Sequence, residues 1–281
     1  MATTEIWTGA AADNDFTTAA NYESADSPDI GDAMIVPDLA ADTTKNIDGG
    51  NFVAVTLTDF IVERNCFLTF GSRASAVLLD TDHFRYEGAG RGHFSFINMV
   101  TEAQILNAPA GNSDWSFGLD IFGGTIPAML IDAGVSGDVA LAGFVAEALT
   151  VTQLKILSGA VTLGPSFDST LVHMLGGTVV SEADPTTASI FGGNYRQRSS
   201  APTTLNVGNA RVYFDSTAVP TTVNTYAGAV IDFSQGAQAR TWGAATALNV
   251  YGNTDIYDPL HLLTWSDLVI TTHAGTLRFI Q

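Results

Sequence analysis

Four acidic side chains are the first residues in this sequence whose type and spacing suit chemistry. Asp168, Glu182, Asp215 and Asp232 each follow a small residue, at Gly159, Gly177, Ala210 and Gly228, in a phrase that recurs along the chain. Cleavage of a glycosidic bond needs two carboxylates about 5 to 10 Å apart in a groove. Glu182 and Asp215 sit at the same offset from their small residues, so stacked repeats would bring them into one column. With neighbouring strands about 4.8 Å apart and one repeat between them, the pair would stand near 10 Å, the outer limit. The plainer reading is a solvated acidic face that keeps strand edges soluble. Aromatic walls for a sugar would come from Trp115, Tyr195, Tyr213 and Trp242.

Other chemistries find less support. His83, His93, His173, His261 and His273 lack a second histidine at metal-ligand spacing, and no Gly-x-Ser-x-Gly elbow occurs. The glycine-rich run from Glu87 to His93 has no lysine of a phosphate-cradling loop and leads into a strand pattern, so it reads as a turn. Asp13-Asn14-Asp15 resembles a fragment of a calcium loop without its closing glutamate. No catalytic, cofactor or metal site is therefore assigned, and the chain is expected not to be an enzyme.

The elements that would position these residues are short strands. An apolar residue, a spacer, a second apolar residue, two spacers and a small residue recur at Leu119–Gly124, Leu154–Gly159, Val172–Gly177, Ala188–Gly193, Leu205–Ala210, Val223–Gly228 and Leu248–Asn253, with a weaker copy at Val139–Gly143. Alternation marks a strand with one face in a core, and a glycine or asparagine after it turns the backbone through a corner. Repeats of 16 to 18 residues cannot enclose a core alone, but each can pair with the repeat above and below. The expectation is an all-β parallel β-helix, a β-solenoid, in which Ile156, Met174, Ile190 and Val207 line one interior column. Hairpins closed by Gly-Gly or Gly-Asn in an antiparallel sandwich or propeller are the alternative, but propeller blades repeat at about 40 residues.

Residues 1–50 differ in texture, with Trp7, Phe16 and Tyr22 among Asp, Asn and Gly, and read as a loop-rich cap on a body spanning 51–281. Residues 103–118 read as a longer loop, Phe144 to Leu149 has helical spacing too short to hold a helix, and the apolar C-terminal segment calls for packing against the body or another subunit.

Eleven basic against 29 acidic residues give a net charge of −18, the wrong sign for nucleic acid or an anionic membrane. Charged residues make up only 14% of the chain against 46% hydrophobic, which favours burial of surface in an oligomer. The single Cys66 excludes an internal disulfide and reads as a buried small hydrophobe. No segment reaches the roughly 18 uninterrupted apolar residues of a membrane span, and the N-terminus carries no export signal pattern.

The opening Trp7-x-Gly9, Phe16, Ala19-Ala-Asn21-Tyr22, Pro28 and Gly31-Asp32, followed by the repeated phrase, resembles a group of tailed-phage virion proteins. That resemblance implies a trimeric β-solenoid made in the host cytoplasm and carried on the virion. The expected role is a capsid decoration or cement protein, bound to the major capsid protein on the outer shell surface. A tail spike or fibre that binds or cleaves host polysaccharide is the alternative, and a bacterial adhesin passenger a further one.

Overall fold

The computed structural model describes residues 2–11, 15–38, 47, 55–72, 74–98, 101–111, 117–143, 147–236, 238–243, 246–265 and 268–281. Apart from one three-residue 3-10 turn, Ala19–Asn21, the regular structure among these residues is strand. The chain winds into a parallel β-solenoid of about ten turns.

Two ladders of parallel strands run along the coil. The first starts at Thr4–Ile6, passes through Ala33–Val36 and Leu57–Val62, and ends at Val269–Thr272. The second starts in the first half of Val77–Tyr86, which pairs with Gly92–Asn98, and ends at Leu277–Ile280. In each later turn a ladder-one strand such as Thr187–Ile190 is followed by a corner, a ladder-two strand such as Asn194–Gln197, and a return segment, two of which pair as the short strands Arg240–Trp242 and Leu263–Trp265.

The register follows from side-chain alternation. Ile156 pairs with Met174, Met174 with Ile190, Ile190 with Val207, Val207 with Thr225 and Thr225 with Val250, and all six are fully buried. A second interior column holds Leu154, Val172, Ala188, Leu205, Val223 and Leu248. Slipping any strand by one residue would turn its apolar set outward, so burial itself fixes the register. Six copies of the repeated phrase thus stack as expected.

The copies at Leu119 and Val139 do not. They pair with each other, and Val139 with Val161, in ladder two. The ladder-one strand below Leu149–Ser158 is instead Thr125–Asp132, whose Met129 and Ile131 meet Leu154 and Ile156. Val77–Tyr86 is long enough to serve both ladders, its first half in ladder two and its second half in ladder one.

The earliest turns hold the aromatic core. Trp7 meets Phe16 edge-on at 6.0 Å, Phe16 meets Phe60 at 5.9 Å, and Phe60 stacks on Phe84 at 6.0 Å. Trp7, Phe16 and Tyr22 are buried over this end, and strand pairing from Ala33–Val36 to Leu57–Val62 runs on across residue 50. Cys66 is buried nearby, and burial pushes its thiol up to about 11. At the far end Val269, Ile270, Phe279 and Ile280 are exposed on the last strand of each ladder. Leu149 begins a strand, while 144–146 lie outside the described residues, as do 12–14 of the calcium-like run and 112–116 with Trp115.

Candidate functional site

The outer faces of the two ladders differ in chemistry. From Thr187 to Thr272 the five strands of ladder one contain no charged residue. Their outward side chains form columns: Thr187, Thr204 and Thr222 in one, Ser189, Asn206, Asn224 and Asn249 in the next. Asn206 Nδ2 donates to Ser189 Oγ at 2.9 Å, Asn224 Nδ2 to Asn206 Oδ1 at 2.8 Å, and Asn249 Nδ2 to Asn224 Oδ1 at 2.9 Å. Such amide ladders satisfy one another along the stack and leave a flat, uncharged face. The corresponding ladder-two strands carry Arg196, Arg211, Asp232, Asp255 and Arg278.

Three of the candidate carboxylates, Glu182, Asp215 and Asp232, lie on this charged side but do not form a catalytic pair. Ser181 pairs with Gln197 and Gln197 with Phe214, so Glu182 and Asp215 are two turns apart with Arg198 in the turn between. Arg198 Nη1 lies 4.0 Å from Glu182 Oε1, and Arg196 Nε donates to Asp215 Oδ2. Asp232 is buried, 3.6 Å from Arg211 Nη1, and accepts from the Ser234 N–H. Asp168 stands exposed opposite Thr150, on a segment outside ladder two. Three of the four are thus engaged by arginines rather than facing a second carboxylate.

Arginine is what sequence reasoning passed over. Four of the eleven cationic residues, Arg196, Arg198, Arg211 and Arg240, fall within 45 positions of a strongly acidic chain. Arg240 is almost wholly buried, its Nε donating to Ser216 O at 2.8 Å and its guanidinium 5.7 Å from the Phe233 ring centroid. Burial pulls that guanidinium below its usual value. Gly236 makes the placement possible, since a β-carbon there would sit 1.7 Å from Arg240 Nη2.

A groove of about 340 Å³ opens on ladder two, lined by Thr178, Val180, Asn194, Arg196, Tyr213 and Gln235. Register creates it: Thr178 pairs with Asn194, and Val180 with Arg196, which pairs with Tyr213, so three successive turns offer outward side chains to one trough. Of the aromatics considered for a sugar site that fall among the described residues, Tyr213 lines it. Tyr195 points inward, fully buried, with its hydroxyl donating to Gln197 Oε1 at 2.8 Å. Trp242 is likewise buried, edge-on to Phe214 at 5.7 Å and to Phe233 at 5.5 Å.

A second aromatic row runs along the corner after ladder one. His173, Phe191, Tyr226, Tyr251 and His273 form it, with centroid separations of 5.8, 5.8, 5.4 and 4.4 Å. Tyr226 and Tyr251 stack at 15° and Tyr251 and His273 at 3°, so these rings spend their faces on one another. The row ties successive turns of the coil together through their corners, with Phe191, Tyr226 and Tyr251 partly exposed.

Among the described residues no three His, Cys, Asp or Glu side chains converge as a metal site, and no helix is long and apolar enough to cross a membrane. The chain matches no family model, no curated protein and no solved structure.

Proposed function

We propose that this chain is a structural protein of a virion. It assembles as a homotrimer of β-solenoids on the outer capsid surface, held to the major capsid protein, and reinforces the shell by binding rather than by catalysis. The observation that carries this reading is the charge-free outer face of ladder one, five strands long, on a body of net charge −18. Interface cores are depleted in charged residues, and a rigid flat face loses little freedom on docking. Three linked copies convert weak single contacts with a shell into avid attachment.

The test is the native mass of the purified chain by light scattering, followed by cosedimentation with empty shells. A trimeric mass and saturable binding are expected. A monomer that leaves the shells bare would end this reading.

A second reading, a tail spike or fibre that binds host polysaccharide, is favoured by the groove at Arg196 and Tyr213. A glycan array with a reducing-sugar assay separates the two. Retained glycan without released sugar is the outcome expected of a binder whose carboxylates are engaged by arginines.

A further inference from the structure

We infer that the ladder-two groove binds a carboxylated sugar residue, with Arg196 as the carboxylate receptor. This deepens the polysaccharide-binding reading and rests on it.

The argument begins with how Arg196 is held. Asp215 Oδ2 accepts from its Nε and so fixes the plane of the guanidinium, while neither Nη group has a protein partner among the described residues. Its side chain is 37% exposed and lines the groove, which leaves two parallel donors open to a ligand. A guanidinium fork with free Nη groups matches the two oxygens of a carboxylate.

The other walls describe the rest of the ligand. Asn194, Thr178 and Gln235 present amide and hydroxyl groups, able to donate and accept, which suits a molecule carrying several hydroxyls. Val180 and the Tyr213 ring give an apolar side. A sugar ring has both characters, one rim of hydroxyls and one face of C–H bonds. The volume of about 340 Å³ lies at the small end for ligand sites, enough for one or two such rings.

Charge selects among anions. The body as a whole is strongly negative, and multiply charged phosphates would be repelled on approach. Around the groove Arg196, Arg198 and Arg211 bring the balance locally to neutral, the last 5.8 Å from the Tyr213 ring centroid. Asp215, Glu182 and Asp232 balance the three arginines pair by pair, so the open Nη groups of Arg196 offer one fork, suited to a single carboxylate rather than to a multiply charged group.

The experiment uses the full chain and an array of uronate- and sialate-bearing oligosaccharides, each printed beside its carboxyl-reduced neutral counterpart and a sulfated one. Hits are then titrated by calorimetry. At least one carboxylated probe is expected to bind, at least tenfold more tightly than its reduced form. Arg196→Gln should lose that preference, and Asn194→Trp, which fills the trough without touching the ion pair, should abolish binding. Arg278→Gln, at a distant exposed ion pair with Asp255, should bind as the parent does. Circular dichroism of each variant checks its fold, and the Asn194 variant decides the matter if loss of Arg196 disturbs the strand. Neutral probes bound equally well, or sulfated probes bound independently of Arg196, would overturn the inference while leaving polysaccharide binding in place. No retained glycan of any kind would overturn both.

Discussion

Phe191 and Tyr226 belong to turns of the coil that are two apart, yet their ring centroids lie only 5.8 Å from each other. Ile190 pairs with Val207 and Val207 with Thr225, which places Gly208 in the turn between them. Its missing side chain is the space into which both rings lean. A β-carbon at Gly208 would meet Phe191 Cδ1 at 3.0 Å and Tyr226 Cβ at 3.2 Å.

Replacing Gly208 with leucine should therefore split the corner stack. The expected cost is about 1–3 kcal/mol, the range for forcing extra carbons into a filled site. Gly208→Ala should cost less, since the rings need to give by only a few tenths of an ångström. Urea unfolding of both variants measures the difference, and equal stability to the parent would mean that the rings part freely.

A second glycine separates conformational strain from close approach. Gly193 has φ +77°, and a β-carbon there would lie 2.2 Å from the Gly177 carbonyl oxygen of the turn below. Gly31 has φ +89° with nothing within 4 Å of the same added atom. Gly31→Ala should show only the cost of a left-handed alanine, about 1–2 kcal/mol. Gly193→Ala should lose clearly more, because backbone in the adjacent turn has to move as well. Similar losses in a thermal unfolding comparison would refute the idea that corners stack rigidly.

These corners explain how much of the fold was readable. From Leu154 to Leu248 each turn's ladder-one strand alternates and leads to a small residue at the bend, so the repeat and its interior column follow directly from sequence. The copies at Leu119 and Val139 went to the other ladder because ladder-two strands alternate in the same way and also end near glycine. Periodicity tells that a strand has an inside, not which side of the coil it occupies. The candidate site was hidden by a similar ambiguity. Tyr195 pairs with Val179 and Val212 and faces in, whereas Tyr213 pairs with Arg196 and faces out. That parity was present in the sequence, but glycosidase logic drew the search to carboxylates. The arginines that engage Glu182, Asp215 and Asp232 become visible only once the turns are stacked.

Asp32 should give the first turns a pH dependence. Burial pushes its carboxyl up, but N–H groups of Thr3 and Asp29, donating at 2.6 and 2.9 Å, outweigh that and hold it below the usual carboxylate range. A carboxylate whose folded value lies below its unfolded value of about 3.9 adds stability above that pH and loses it as pH falls through the folded value. Asp32→Asn should thus be less stable than the parent by a constant margin from pH 7 to 5. That margin should shrink in more acid solution. A margin that grows toward acid pH, followed by urea midpoints, would reverse the assignment.

The interior column has one polar member, and it is not alone. Thr225 stands where neighbouring turns place Val207 and Val250, and Thr254, from ladder two, donates to its hydroxyl at 2.8 Å. Both residues are fully buried, and the only further partners of these hydroxyls among the described residues are backbone carbonyls, Asn249 O at 3.4 Å from Thr225 Oγ1 and Gly252 O at 3.1 Å from Thr254 Oγ1. Removing one of two buried hydrogen-bonding groups costs about 1–3 kcal/mol because the remaining group keeps its desolvation penalty, whereas replacing both by apolar groups of like shape is nearly neutral. Thr225→Val alone is expected to destabilise, and Thr225→Val with Thr254→Val together to recover most of the loss. A double-mutant cycle reads this as a coupling of about 1 kcal/mol, well above the few tenths seen for independent sites. Simple additivity of the two losses would mean that the backbone carbonyls of Asn249 and Gly252, and not the opposite ladder, satisfy these hydroxyls.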